Sequence, residues 1–135
     1  MSLQNLSGTE VDEYVLRDLL GQGGMSAVYR GYQEELDRYV AIKVLSARLA
    51  QEPGYIARFQ GEAKMAASLE HPHIVPVYDF GTKDDMSFVV MRYLTGGTLK
   101  ARLQTGDPMR LRDVSRLLDD LARALDYAHG RGIVH

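Results

Sequence analysis

Two hydrophobic periods divide this chain. From Tyr14 to Leu20, Tyr14, Leu16 and Asp18 fall on one face and Val15, Arg17 and Leu19 on the other. This is an imperfect period of two that predicts a strand. Ala27 to Tyr32 resume the alternation, with Val28, Arg30 and Tyr32 set against Tyr29 and Gly31. Between them three glycines fall within four residues, so strand, glycine turn, strand predicts a hairpin. Arg38 to Leu45 form a third strand, with Val40, Ile42 and Val44 on one face and Ala41 and Lys43 on the other. Ile74 to Phe80, interrupted by Pro76, and Met86 to Tyr93, with the apolar run Phe88-Val89-Val90-Met91, complete five expected strands.

The second period is helical. Pro53-Gly54 signal a turn, and from Tyr55 to Leu69 the residues Ile56, Phe59, Ala63, Ala66, Ala67 and Leu69 recur at helical spacing. Pro72 disfavours helix in the residue before it. Gly61 sits inside that helix at a cost of about 1 kcal/mol relative to alanine. Thr98 is the expected N-cap of a short helix through Leu103. Leu111 to His129 carry Val114, Leu117, Leu118, Leu121, Leu125 and Ala128 at the 3.6-residue period, and Gly130 and Gly132 end the helix. Strands gathered first and helices after them favour an α+β fold over alternating α/β. No internal repeat or low-complexity segment interrupts the pattern.

Composition narrows the function classes. One domain is the natural expectation for 135 residues, and 45% hydrophobic with 25% charged residues is ordinary for a globular protein. A formal net charge of -2 argues against nucleic-acid binding driven by bulk electrostatics. There is no cysteine, which removes disulfides and thiolate metal sites and fits a reducing, cytoplasmic setting. No apolar run approaches the length that spans a bilayer. Residues 1–12 are a polar leader, expected to be flexible.

The candidate chemistry lies in Leu20-Gly21-Gln22-Gly23-Gly24-Met25-Ser26-Ala27-Val28-Tyr29 and in Val40-Ala41-Ile42-Lys43. Glycine admits positive φ and leaves no Cβ in the way of a ligand. An amide-rich loop followed by a strand that delivers one positive charge is a phosphate-binding arrangement. The glycines alone also read as a plain hairpin turn, but Lys43 downstream favours phosphate. A dinucleotide-binding loop would need a helix directly after the glycines, where Ala27 to Tyr32 alternate like a strand. Lys43 has apolar neighbours and shares its face with Ala41, which favours a pocket over an open surface. Glu62 is a solvated helix carboxylate or the partner of Lys43, with Glu70 a weaker candidate for that pairing. His71 and His73 flank Pro72 without further ligands, so a turn or cap is favoured over a metal site.

Four ordered signals carry a resemblance: Gly21-x-Gly23-x-x-Ser26-x-Val28, Val40-Ala41-Ile42-Lys43, a helix with Glu62, and His71-Pro72-x-Ile74-Val75. Together they resemble the amino-terminal half of a protein kinase domain. Gly23-Gly24-Met25-Ser26-x-Val28-Tyr29 is most similar to bacterial Hanks-type serine/threonine kinases. The resemblance covers residues 12 to 135. It implies an α+β fold: a five-stranded antiparallel sheet plus helix C as the N-lobe over residues 13–94, then the first C-lobe helices over 95–135. It implies ATP binding by Leu20, Gly21, Gln22, Gly23, Gly24, Met25, Ser26, Ala27 and Val28. Ser26 stands at the family's third glycine position. Lys43 would meet the α- and β-phosphates with Glu62 orienting it, and Val28 and Ala41 would pack on the adenine. Met91, Arg92, Tyr93 and Leu94 resemble the linker between lobes, with Met91 limiting pocket depth and the backbone of Arg92 and Leu94 facing the adenine edge. Arg92 stands where the family commonly has an acidic residue.

His135 matches the histidine of the family's His-Arg-Asp loop, and the catalytic aspartate and the Mg2+ ligands of the family would lie after it. No catalytic or metal-ligating residue is therefore assigned within the 135 residues. The implied parent is an enzyme, a protein serine/threonine kinase using ATP and Mg2+ on a protein substrate, with this stretch inactive alone. The family also includes members anchored by a membrane span elsewhere in the protein. The alternatives are a nucleotide-binding pseudokinase or scaffolding module and, less favoured, a relative of the aminoglycoside or lipid kinases. The stripe Leu117, Leu121 and Leu125 is expected to be exposed, which implies self-association or a longer parent chain.

Overall fold

A computed structural model describes residues 5–134, and these fall into two compact units. The first comprises residues 5–68 with Pro76–Tyr93, the second Leu69–Val75 with residues 94–134.

The first unit is one antiparallel sheet with two helices. Its strands are β1 (Glu10–Val11), β2 (Tyr14–Gln22), β3 (Ser26–Gln33), β4 (Arg38–Leu45), β5 (Val77–Lys83) and β6 (Met86–Arg92), in the order β1-β2-β3-β4-β6-β5. The helices are α1 (Ala47–Ala50) and α2 (Tyr55–Ala67). Alternation in β3, β4 and β6 sends one set of side chains to a common core: Ala27 and Tyr29, Val40, Ile42 and Val44, and Phe88 and Val90, joined by Val11, Tyr14 and Leu16. Gly31 faces Val40 across the β3–β4 ladder, and a Cβ there would overlap Ile42 Cδ1. Burial first, then the nearby Asp79 and Glu13 carboxylates, push the Tyr14 hydroxyl well above the usual phenol range.

The sheet has six strands rather than the expected five. The sixth comes from the stretch expected as a flexible leader: Glu10 pairs with Val15 and Val11 with Tyr14, and Val11 is buried in the core. The Gly8 N–H donates to the Leu16 carbonyl at 2.7 Å, and the Thr9 carbonyl accepts from the Leu16 N–H at 2.9 Å. Two residues are too few to display a period, and the polar residues around Val11 mask it. Residues 1–4 of the leader lie outside the described residues. The expected strand from Ile74 begins instead at Val77, because Pro76 has no N–H for the ladder. Ala47–Ala50, expected as connection, form a short helix that buries Leu49.

Helix α2 starts after Gly54, whose φ of 84° is a left-handed value that glycine adopts without strain. It ends at Ala67, two residues before the expected Leu69. A Cβ at Gly61 would meet nothing within 4 Å, so no close packing requires glycine there. Gly61→Ala is expected to raise stability by about 0.5–1 kcal/mol, read as a higher urea midpoint.

The second unit holds α3 (Leu99–Gln104) and α4 (Leu111–Gly130). Thr98 caps α3 as expected, its hydroxyl accepting from the Ala101 N–H at 3.1 Å. On α4, Ala124 and Ala128 are buried, while Leu118, Leu121 and Leu125 are exposed by 60%, 45% and 42%. Leu117, expected in the exposed stripe, is half-buried, and Leu118 takes that place. No helix among the described residues is long and apolar enough to cross a membrane.

Candidate functional site

The sheet register assembles the site. Val28 on β3 pairs with Lys43 on β4, and Lys43 with Val89 on β6. One step along the strands, Arg30 pairs with Ala41 and Ala41 with Met91. Because side chains alternate, Val28, Ala41, Lys43, Val89 and Met91 stand on one face, opposite the core set. Four of these five were singled out in the sequence. Val89 was not, although its position two residues before Met91 puts it on the same face.

The glycine-rich turn closes the hairpin between β2 and β3. Gly21 pairs with Val28 and Gln22 with Ala27, and the Gly23 N–H donates to the Ser26 carbonyl at 2.9 Å. The Met25 carbonyl accepts from the Ser46 N–H at 3.0 Å, tying the turn to the end of β4. Gly21, Gly23 and Gly24 are absent from the residues with positive φ. Their contribution is open space: a Cβ at Gly21 or Gly24 would meet nothing within 4 Å, and at Gly23 only the Ser26 carbonyl oxygen, at 3.8 Å. A ligand can therefore come close to this backbone. Leu20 and Met25 are exposed beside it.

Below the turn, α2 meets β4 around a small cleft of about 100 Å³. It is lined by Met25 and Ser26, Lys43 and Leu45, and Tyr55, Arg58, Phe59 and Glu62. The cleft brings Lys43 and Glu62 together as expected candidates. Tyr55, Arg58 and Phe59 were missed, though spacings of three, four and seven residues put them on the Glu62 face of the helix. Among the described residues Lys43 has no ion pair, and Glu62 Oε1 lies 3.2 Å from Arg58 Nε instead. Both partners are exposed, so this pair contributes only about 0.3–0.5 kcal/mol and exchanges easily. Two cations and one carboxylate leave the cleft with a single net positive charge, suited to an anionic group held by Lys43 and nearby N–H groups.

The expected linker residues divide between the units. Met91 is half-buried on β6, and Arg92 is exposed with its N–H already donating to the Pro76 carbonyl at 3.1 Å. Tyr93 is the last residue of the first unit and Leu94, exposed, belongs to the second. Glu70 also belongs to the second unit. His71 and His73 form a turn, with the His71 carbonyl accepting from the Ile74 N–H at 3.1 Å. His135, matched to the catalytic loop, lies outside the described residues. Among the described residues no group of three or more His, Asp or Glu is placed to hold a metal ion.

Comparison with known proteins gives a consistent result. A sequence model of the family described as protein kinase domain matches residues 14–135. The serine/threonine-protein kinase PknB of Mycobacterium leprae is 41% identical over 128 residues, covering 92% of this chain and 21% of that protein. Serine/threonine-protein kinase PrkC of Bacillus subtilis is 38% identical over 122 residues, covering 90% of this chain and 19% of that protein. This chain thus spans about a fifth of the length of these relatives. Among solved structures, the PknI kinase domain of Mycobacterium tuberculosis superposes with a TM-score of 0.78 at 34% identity, over 96% of this chain and 53% of that one. The apo form of PpkA-294 superposes with a TM-score of 0.83 at 26% identity, over 99% of this chain and 54% of that one.

Proposed function

The chain belongs to the protein kinase family, and on that premise we propose that it is the ATP-binding portion of a serine/threonine protein kinase that transfers the γ-phosphate to protein hydroxyls. The observation that carries this reading is the shared face of Val28, Ala41, Lys43 and Met91, with Lys43 at a cleft that also holds Glu62. Ala41, Val28 and Met91 offer apolar surface to the adenine. Lys43 offers its ammonium to the α- and β-phosphates, and Gly21, Gly23 and Gly24 leave the turn open to phosphate oxygens. Glu62 orients Lys43 once it exchanges Arg58 for it. Mg2+ would supply neutralisation of the phosphate charge, and in the family the residues that would hold it lie after the position of His135. Nucleotide binding is thus assigned to these 135 residues, and transfer to a kinase domain as a whole. The compartment that supplies ATP is the cytoplasm.

The test is a thermal-shift titration of the 135-residue chain with Mg-ATP. A saturable rise in Tm is expected; the absence of any shift would remove the ATP assignment. The exposed face Leu118, Leu121 and Leu125 supports self-association of the isolated chain. Sedimentation at rising concentration is expected to show it, and a monomer throughout would count against it.

A further inference from the structure

Beyond Leu16 the first strand of the glycine-rich hairpin leaves the core. In β2, Tyr14 and Leu16 are buried, and every residue from Arg17 to Gln22 is exposed. Its partner β3 alternates half-buried and buried residues along its whole length. The pairing changes at the same point. Leu16 pairs with Gly31 and Leu19 with Tyr29, which leaves Arg17 and Asp18 together opposite Arg30. The next pair joins Gly21 to Val28, which leaves Leu20 as a second extra residue. Two successive bulges thus separate the glycine-rich turn from the buried half of the sheet, and a bulge bends the strand that carries it.

Arg30 spans the first bulge. Its Nη2 lies 2.5 Å from Asp18 Oδ2. Its guanidinium carbon stands over Tyr39, 4.6 Å from the ring centroid, and the Tyr39 ring lies 5.3 Å from that of Tyr32. The guanidinium therefore rests on aromatic rings supplied by β3 and β4. Among the described residues Arg30 Nε is buried without a hydrogen-bond partner, and Asp18 is the only ion-pair partner of Arg30. Asp18 is exposed and lies in the part of β2 that has no core contact. The pair thus fastens the exposed arm of β2 to a fixed part of the sheet. Alternation also puts Arg30 on the face of Val28, two residues along β3.

We infer that Asp18 and Arg30 are positioning residues for nucleotide binding. The pair pins the bulged arm of β2 and so fixes where Leu20 and the glycine-rich turn stand relative to Val28, Ala41 and Lys43. It acts through the arm, without contact with the nucleotide, and this role rests on the nucleotide reading of that face.

Hydrogen exchange of the unliganded chain tests the pin, and Mg-ATP titration tests its role. The Ser46 amide reports on the arm, because its bond to the Met25 carbonyl is lost when the turn leaves the end of β4. The Leu16 amide, bonded to the Thr9 carbonyl before the bulge, is the control. Asp18→Asn and Arg30→Met should each speed exchange at Ser46 about two- to five-fold and leave Leu16 unchanged. Arg30→Met keeps an apolar stem against Tyr39, while Arg30→Lys keeps the charge and should stay close to the parent. The double variant Asp18→Asn with Arg30→Met should lose no more than the worse single one, because one interaction is lost only once. The Kd for Mg-ATP should rise about two- to five-fold in both single variants. Unchanged Ser46 exchange in both, additive losses in the double, or equal acceleration at Leu16 overturns the pin. Faster Ser46 exchange with an unchanged Kd overturns the positioning role. A parent chain that binds no Mg-ATP removes the nucleotide reading and the positioning role with it, while Ser46 exchange still decides the pin.

Discussion

Gly31→Ala is expected to destabilise the sheet unit by about 1–3 kcal/mol, and Gly31→Val by more. A Cβ at this position would overlap Ile42 Cδ1 and stand 2.8 Å from Ile42 Cγ1 and 3.2 Å from Val40 Cγ2. Neither neighbour can step aside, because both are fully buried within the core that β2, β3, β4 and β6 share. Ile42→Val deletes Cδ1, the atom that conflicts most. The double variant Gly31→Ala with Ile42→Val should therefore be more stable than the sum of the two single losses, by a coupling of about 0.5–3 kcal/mol in urea denaturation. Strict additivity would mean that the overlap is not the cause. Gly21→Ala is the contrasting control, since a Cβ there meets nothing within 4 Å.

The central hairpin and its neighbour were legible because three physical signals coincide in them. β-Branched residues alternate in Val40, Ile42 and Val44, glycines mark the turn before Ser26, and both faces of β4 have distinct chemistry. The shared face of Val28, Ala41, Lys43 and Met91 follows from that alternation once the strands pair in register. Elements without a period were not legible: Glu10–Val11 is a two-residue strand, and Ala47–Ala50 a single helical turn. On α4 the apolar residues form more than one stripe, and hydropathy alone does not say that Leu117 turns inward while Leu118 faces solvent. The pairing of Glu62 has a different origin. Helical spacing puts both Arg58 and the cleft within reach of one carboxylate, and side-chain geometry rather than sequence selects Arg58.

That selection sets the expectation for Lys43. Since Lys43 has no ion pair to break among the described residues, its ammonium is free to meet phosphate, and its removal should act on binding more than on folding. A charge-assisted hydrogen bond contributes about 1.5–3 kcal/mol, so Lys43→Ala is expected to weaken Mg-ATP by about 10- to 150-fold. At a nucleotide concentration near 100 times the parent Kd, binding stabilises the parent chain by about 2.7 kcal/mol. A variant weakened 100-fold retains only about 0.4 kcal/mol at that concentration, close to a vanished Tm shift. Lys43→Met separates charge from packing, because it keeps an apolar stem along β4 and loses only the ammonium. Both variants should lose the shift, and Lys43→Met should keep the unliganded Tm nearer that of the parent. Glu62→Gln should cost less than either, because its present bond to Arg58 is exposed and weak. A full-sized Mg-ATP shift in Lys43→Met would mean that the nucleotide is held elsewhere. A loss in Glu62→Gln as large as in Lys43→Ala would mean that the orientation Glu62 gives Lys43, and not the ammonium alone, dominates nucleotide binding.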